Sequence, residues 1–126
     1  IVESLLKTQS GRARPRDVIN FGGSADFTPP LWLADACERN CSFVSGHAAV
    51  AFWTTAFAFL LPPAHRLIVI AAGVFLGAAM GLARMMEGAH FLSDVVFAGL
   101  IVVGFNMWLA GRMGLADAVS GKADGA

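Results

Sequence analysis

Residues 67–83 read LIVIAAGVFLGAAMGLA, a run of 17 positions without a charged side chain. As an α-helix this run would be about 26 Å long, close to the roughly 30 Å hydrocarbon core of a bilayer. Comparable runs cover residues 48–61, which end at two prolines and would form a helix of 17 residues if it began at Ser45, and residues 95–110, lengthened at their start by residues 90–94. All three runs are apolar on every side rather than striped, as is typical of membrane-spanning helices. The sequence therefore predicts an all-α fold, a transmembrane helical bundle with at least three membrane-spanning helices within residues 45–112.

The overall composition agrees with a membrane location. Hydrophobic residues make up 56% of the 126 positions and charged residues only 14%, whereas a typical soluble domain carries about 25% charged residues. Nine Lys and Arg balance nine Asp and Glu, so the formal net charge is zero. A balanced chain offers no basic field to nucleic acid. The expected partner is therefore the membrane bilayer and not nucleic acid.

The remaining segments are interpreted as parts of one domain over residues 1–126. Residues 11–44 are rich in Gly, Pro, Arg and Asp and lack a sustained hydrophobic period. They are predicted to form an extramembrane active-site loop, with a short helix from Pro30 to Arg39. Residues 113–126 are expected to form a polar tail. Because the chain opens at Ile1 with no leader-like stretch, we expect the domain to be incomplete at its N-terminus.

Small residues recur every four positions in the second apolar run, at Gly73, Gly77 and Gly81. Such a ridge lets helix backbones approach closely in a membrane, so we assign it to packing and not to chemistry. Each short connection reverses the chain. These reversals bring the loop, the start of the first helix, the end of the second and the start of the third to one face, where most Lys and Arg residues also lie.

Five residues at this face suit a tetrahedral oxyanion. Ser45 and Gly46 open the first helix, where backbone N–H groups, a hydroxyl and the positive end of the helix dipole favour phosphate. Arg14 and Arg84 can each present a planar fork of donors to phosphoryl oxygens, and Lys7 adds a compact charge. We therefore predict that all five bind phosphate.

Three further residues are candidates for proton transfer and nucleophilic attack. His90 and Asp94 are four positions apart, so on a helix the carboxylate could accept the ring N–H and leave the other ring nitrogen free to attack. His47, two residues after Ser45, could protonate a leaving oxygen. Alternatively, His47, Glu87, His90 and Asp94 could ligate a metal, which the surrounding cations disfavour. Glu87 is otherwise expected to pair with an arginine.

These residues fall into three blocks with fixed spacing. Lys7 is followed after six residues by Arg14-Pro15, then come Ser45-Gly46-His47, and Arg84 is followed after five residues by His90 and after three more by Asp94. The pattern resembles the signature of the type 2 phosphatidic acid phosphatase superfamily. The resemblance implies the helical acid phosphatase/vanadium haloperoxidase core, usually with six membrane crossings in lipid-processing members, of which about half would be visible here. It also implies that His90 is the nucleophile, Asp94 orients it and His47 is the general acid.

Two positions depart from the pattern of that superfamily. Val44 stands where the family usually has Pro before Ser-Gly-His, and Ala83 stands where it usually has Ser before Arg. Neither position carries a proton-transfer or nucleophilic group, so the departures bear on the substrate more than on activity. The loop sequence Cys-Ser-Phe-Val-Ser-Gly-His, residues 41–47, is similar to bacterial members related to lipid A 1-phosphatases.

The main hypothesis is an integral-membrane lipid phosphatase that needs no metal or other cofactor. His90 would attack phosphorus, His47 would protonate the departing oxygen, and water would release phosphate from the phosphohistidine. The substrate would be a phosphomonoester or pyrophosphate of a membrane lipid: lipid A, undecaprenyl pyrophosphate, phosphatidate or phosphatidylglycerol phosphate. The alternatives are a lipid phosphotransferase, a vanadate-dependent haloperoxidase-like enzyme and a non-catalytic membrane module.

Two observations bear on localisation. Cys37 and Cys41 lie four positions apart and could form a disulfide in an oxidising compartment or remain unpaired thiols. The predicted active-site face carries six Lys and Arg residues and the opposite face carries three. Three of the six are assigned to phosphate, so the positive-inside rule gives no preference for either orientation. We expect a bacterial inner membrane protein with its active site facing the periplasm.

Overall fold

A computed structural model of the protein describes residues 7–115. Its regular elements are helical, apart from one isolated β-bridge between Val18 and Ala25. The α-helices are α1 (Lys7–Ser10), α2 (Gly46–Trp53), α3 (Pro63–Met86) and α4 (Leu92–Arg112), and 3-10 helices cover Pro15–Asp17, Ile19–Phe21 and Thr54–Leu60. The all-helical fold class is confirmed, and its body is formed by the three apolar helices α2, α3 and α4, packed against one another.

Helix α3 contains the uncharged run 67–83 and is longer than that run at both ends. It begins at Pro63 because the fixed φ of proline suits the first helical turn, where a backbone N–H would have no partner within the helix. Both α3 and α4 are long and apolar enough to cross a membrane. Two of the three predicted crossings, those over residues 67–83 and 95–110, therefore correspond to helices that could span a membrane.

Helix α4 starts two residues after His90, later than predicted. The Asp94 carboxylate accepts a hydrogen bond from the Phe91 N–H at 2.8 Å. Such a bond satisfies a free backbone donor at a helix N-terminus and fixes where the helix begins. The prediction that His90 and Asp94 lie on one helix face is therefore wrong, because His90 belongs to the turn before α4.

The predicted first crossing over residues 45–61 is shorter and more tightly wound than expected. Helix α2 gives way after eight residues to a seven-residue 3-10 helix. The hydroxyls of Thr54 and Thr55 each donate to the carbonyl oxygen three residues earlier, at 2.7 and 2.8 Å, and such contacts compete with regular α-helical bonding. The described residues thus include two helices that could cross a membrane, together with this shorter apolar segment.

The predicted helix from Pro30 to Arg39 is also wrong. The segment is irregular, and Leu31 has a φ of 68°, a left-handed conformation that a right-handed helix does not contain. The Ala34 N–H donates to the Ser10 carbonyl oxygen at 2.9 Å, so the middle of the segment bonds to the end of α1. The rest of residues 11–44 forms a loop with short 3-10 turns, while most of the expected polar tail lies outside the described residues.

The glycines of α3 face the neighbouring helices, which confirms their packing role. All three are buried, including Gly73. A Cβ on Gly77 would lie 2.2 Å from the Phe52 ring, and one on Gly81 would lie 2.2 Å from Cγ1 of Val95. Approach this close leaves no room for a side chain. The ridge therefore fixes α3 against both α2 and α4.

Hydrogen bonds join the loop to the helices at one end of the bundle. The Ser45 N–H donates to the Asp94 carbonyl oxygen at 3.2 Å, and the Arg16 N–H donates to the Gly88 carbonyl oxygen at 3.1 Å. The first bond links the starts of α2 and α4, and the second links the loop to the turn between α3 and α4. The elements expected to share one face therefore do meet.

Candidate active site

His90 is buried in the turn between α3 and α4, with an exposed fraction of 2%. Its Nδ1 lies 2.7 Å from the Ser42 carbonyl oxygen, which can only accept a hydrogen bond. The ring therefore donates from Nδ1, and in a neutral imidazole the lone pair is then on Nε2. Within the described residues, Nε2 is buried and has no hydrogen-bond partner. His90 thus presents the unengaged nitrogen that a nucleophilic histidine needs.

Asp94 is fully buried and surrounded by donors. Its Oδ1 accepts from the Arg12 guanidinium, and its Oδ2 accepts from the Ser42 hydroxyl and the Phe91 N–H. The distance from Oδ2 to Nδ1 of His90 is 3.7 Å, which is too long for a hydrogen bond. The His90 ring therefore bonds to the Ser42 carbonyl and not, as expected, to Asp94. Asp94 instead accepts hydrogen bonds from the groups that surround its own carboxylate.

Arg12 and Ser42 lie at the centre of the site, although neither is among the site residues predicted from the sequence. Arg12 has an exposed fraction of 2%, and its guanidinium lies 4.2 Å from the centroid of the Phe91 ring. Burial lowers the pKa of the Arg12 guanidinium from its ordinary value, and the Asp94 carboxylate opposes that shift. The sequence indicates Arg12 only indirectly, because the Asp94 carboxylate at the start of an apolar helix requires a counter-charge.

The start of α2 lies beside Asp94. Ser45 caps this helix, since its hydroxyl accepts the backbone N–H three residues later at 3.4 Å, and Gly46 is buried at the first helical position. His47 is exposed and lines a cavity of about 390 Å³ between α2 and α3. His90 lines a different cavity, of about 460 Å³, below the loop. The structure therefore brings Ser45 and Gly46 to Asp94 but places the two histidines on separate cavities.

Arg14 and Arg84 are close enough for their charges to interact. Burial lowers the pKa of Arg14 most, and the positive charges of Arg16 and Arg84 lower it further. Arg84 forms an ion pair with Glu87, which confirms the expected pairing of that carboxylate. The Nε of Arg84 is buried and has no partner among the described residues. A bound anion would relieve the repulsion between these two arginines.

Of the two states left open for Cys37 and Cys41, the structure has the disulfide, with 5.6 Å between the two Cα atoms. Asn40 lies inside the bridged segment, and its carbonyl oxygen accepts hydrogen bonds from Nε and Nη2 of Arg14. The bridged segment therefore holds one of the predicted phosphate-binding arginines.

Two further predictions concern Lys7 and a metal. Lys7 belongs to α1, but its side chain lies outside the part of the chain whose side chains are described. Across residues 7–115, no three His, Cys, Asp or Glu side chains gather as a metal site requires. The alternative metal-ligand role of His47, Glu87, His90 and Asp94 therefore has no ligand cluster there.

Comparison with known protein families matches residues 1–113 to the PAP2 superfamily. The chain belongs to this superfamily. A lipid A 4'-phosphatase from Francisella tularensis subsp. novicida (strain U112) is 43% identical over 103 residues, covering 81% of this chain and 46% of the relative. A lipid A 4'-phosphatase from Rhizobium leguminosarum is 39% identical over 100 residues, covering 79% and 43%. A lipid A 1-phosphatase from Rhizobium etli is 42% identical over 106 residues, covering 83% and 41%.

The superfamily match confirms the resemblance drawn from the three sequence blocks. By their names, the relatives act on the phosphates of lipid A. This PAP2 chain spans less than half the length of the curated relatives quoted above. No solved structure matches it.

Proposed function

We propose that this PAP2 chain is the catalytic part of a membrane-bound lipid A phosphatase that works through a phosphohistidine on His90. The proposal rests on the hydrogen bonding of the two ring nitrogens of His90. Its Nδ1 is held by the Ser42 carbonyl at 2.7 Å, while Nε2 has no partner in the described residues. A neutral histidine held in this way is oriented and can attack without first losing a proton. The names of the relatives supply the substrate class.

In the first step, Nε2 of His90 attacks phosphorus, an N–P bond forms, and the bond from phosphorus to the lipid oxygen breaks. His47 protonates the departing oxygen, which leaves as a hydroxyl group of the lipid. In the second step, water attacks the phosphohistidine and passes a proton to His47, the N–P bond breaks, and inorganic phosphate leaves. Because the two histidines line separate cavities, this assignment requires the substrate to extend from the His90 cavity to the first turn of α2.

The negative charge of the transferring group would be bound by cations and backbone donors. Arg14 and Arg84 are assigned to the phosphoryl oxygens, together with Lys7 and the helix start at Ser45 and Gly46. The repulsion between the two arginines supports this role, because an anion bound to both reduces it. Donors arranged in advance around the phosphoryl oxygens stabilise the charge that develops on them in the transition state.

We place the apolar segment Gly46–Leu60 in the membrane as a third crossing. Eight α-helical residues rising 1.5 Å each and seven 3-10 residues rising about 2.0 Å each span about 26 Å. That length is close to the roughly 30 Å hydrocarbon core. The disulfide supports an oxidising compartment around the loop, which corresponds to a bacterial inner membrane with the site on the periplasmic side.

Release of inorganic phosphate from lipid A by detergent-solubilised full-length protein tests the proposal. The wild type should release phosphate, and His90→Ala should lower kcat at least about 1000-fold, as removal of an enzyme nucleophile does. With lipid A labelled in its phosphate, an acid-labile label should appear on the wild type and be absent from His90→Ala. His65→Ala is the matched control, because His65 is exposed in the first turn of α3, far along the helix from Arg84.

Three outcomes would contradict the proposal in different ways. Full activity of His90→Ala would exclude the phosphohistidine. Release of phosphate from phosphatidate, phosphatidylglycerol phosphate or undecaprenyl pyrophosphate, but not from lipid A, would exclude the substrate class. Transfer of the label to a second lipid without free phosphate would identify a phosphotransferase.

A further inference from the structure

We infer that Arg12 and Ser42 are positioning residues for His90, because together they fix the carbonyl group that orients the imidazole. The inference rests on the proposed function only in treating His90 as the nucleophile. It gives a role to two buried polar residues: Arg12, at an unspecified position of the first sequence block, and Ser42, which lies outside all three blocks.

Ser42 is completely buried and uses three of its polar groups. Its carbonyl oxygen lies 2.7 Å from Nδ1 of His90, and its hydroxyl donates to Oδ2 of Asp94. Its N–H donates to the Arg12 carbonyl oxygen at 2.9 Å. The bonds at its N–H and at its hydroxyl fix the Cα and the side chain of the residue from which this carbonyl group projects. Arg12 and Asp94 therefore hold in place the residue whose carbonyl orients the imidazole.

The guanidinium of Arg12 holds Asp94 from the other side. Its Nη1 donates to Oδ1 of Asp94 and, at 3.0 Å, to Oγ of Ser93, while Nε donates to the Thr28 carbonyl oxygen at 2.8 Å. Arginine presents these donors in a rigid plane, so the three bonds fix the guanidinium, which in turn holds the carboxylate through one of them. Arg12 thus holds Ser42 in two ways. Its carbonyl oxygen accepts the Ser42 N–H, and its guanidinium holds the Asp94 carboxylate that accepts the Ser42 hydroxyl.

The placement of Arg12 distinguishes it from a residue that binds phosphate. Its side chain is buried among protein groups, and the cavity at His90 is lined by Arg16 and Glu87 but not by Arg12. An arginine that acts only through its neighbours should influence the rate of attack more than the binding of phosphate. This expectation distinguishes a positioning role from a role in binding the substrate.

The kinetic test compares Arg12→Met, Arg12→Lys and Ser42→Ala with Arg39→Met, the same substitution at an exposed arginine of the same loop. Arg12→Met and Ser42→Ala should lower kcat about 10- to 100-fold, the effect typical of residues that orient a reacting group through another. The KM for lipid A and the Ki for inorganic phosphate should change less than about threefold. Arg12→Lys, which keeps the charge, should recover part of the kcat lost in Arg12→Met.

Removing one partner of a buried ion pair destabilises folded proteins, so Arg12→Met is paired with a variant that keeps the ion pair. Ser42→Ala removes only the hydroxyl bond to Asp94, which loosens the residue that carries the orienting carbonyl without breaking the ion pair. Thermal unfolding of each variant in detergent reports the folded fraction at the assay temperature, to which kcat is normalised. A fall in kcat that persists after this normalisation belongs to positioning.

A spectroscopic measurement tests the inference without any assay of phosphatase activity. The chain has three histidines, so ¹⁵N-histidine labelling gives few ring resonances, and His90→Gln assigns those of His90. In the wild type, His90 should carry its proton on Nδ1. In Ser42→Ala and in Arg12→Met, a measurable fraction should shift to the form protonated on Nε2, while Arg39→Met should match the wild type.

The outcomes separate this inference from the proposed function. An unchanged His90 tautomer in both Ser42→Ala and Arg12→Met would overturn the inference even if the wild type were an active lipid A phosphatase. Loss of substrate binding with unchanged kcat would overturn it as well, because it would identify Arg12 as a ligand-binding residue. Absence of lipid A hydrolysis by the wild type would refute the proposed function, and the tautomer measurement would still decide the role of Arg12 and Ser42.

Discussion

The Asn40 carbonyl oxygen accepts two hydrogen bonds from one arginine, at 3.2 Å from Nε and 2.8 Å from Nη2 of Arg14. Asn40 has a φ of 52° and lies within the segment closed by the disulfide between Cys37 and Cys41. A left-handed conformation at a residue other than glycine persists where the surrounding structure holds it. The disulfide therefore helps to place a guanidinium that we assign to phosphate binding.

Reduction of this disulfide should weaken substrate binding. Without the bridge, Arg14 has to be ordered when lipid A binds, and ordering one long side chain costs about 0.5–1.5 kcal/mol. The KM for lipid A should therefore rise about two- to tenfold, both in Cys37→Ser/Cys41→Ser and in reduced wild type. The double variant should no longer respond to the reductant. An unchanged KM in wild type whose two thiols are shown by labelling to be free would contradict the prediction.

The ion pair between Arg84 and Glu87 leads to a second prediction. The Glu87 carboxylate forms an ion pair with the Arg84 guanidinium, which we assign to phosphate binding. The substrate therefore has to compete with Glu87 for this guanidinium. Glu87 is largely exposed, and exposed pairs contribute about 0.2–1 kcal/mol. Glu87→Gln should accordingly lower the KM for lipid A by up to about fivefold. Glu38→Gln, which neutralises an exposed carboxylate elsewhere in the loop, is the control, and a higher KM in Glu87→Gln would show that the carboxylate assists binding.

Local patterns predicted those parts of the fold and the site that depend on residue type and near spacing. The uncharged run 67–83 required only composition, and the packing role of Gly77 required only its period. His90 and Arg84 could be proposed as site residues because their chemical types suit phosphate chemistry and their separation in the chain matches the superfamily pattern. None of these inferences depends on where distant segments meet.

The sequence could not predict contacts between distant segments. Arg12 bonds to Asp94 across 82 positions, and although a carboxylate at the start of an apolar helix requires a counter-charge, nothing near it in the sequence indicates which residue supplies that charge. Apolar periodicity predicts too early a start for α4, because it does not record the cap that Asp94 gives to the Phe91 N–H. The 3-10 segment was missed for a similar reason: the hydroxyl of Thr55 bonds to the backbone, and hydropathy counts that residue only as weakly polar.

Asn106 should couple α4 to the 3-10 segment. Its Nδ2 donates to Oγ1 of Thr55 at 2.9 Å, and the amide is buried between helices. Hydrogen bonds between membrane helices contribute about 0.6 kcal/mol on average and up to about 1.7 kcal/mol. A double-mutant cycle of Asn106→Ala and Thr55→Val, measured as the free energy of unfolding in detergent, should give a coupling in that range. Additive effects of the two substitutions would show that the bond contributes nothing to stability.

The close contact between α3 and α2 gives a matched pair of glycine substitutions. A Cβ added at Gly77 would lie 2.2 Å from the Phe52 ring, whereas one added at Gly104 would meet no atom within 4 Å. Gly77→Ala should destabilise the protein by about 1–3 kcal/mol, because it overpacks the contact between the two helices. Gly104→Ala, made within the exposed face of α4, should stabilise it by up to about 1 kcal/mol, since alanine has the higher helix propensity. Unfolding midpoints in detergent measure both effects, and a Gly77→Ala variant as stable as Gly104→Ala would disprove the packing of α3 on α2 described above.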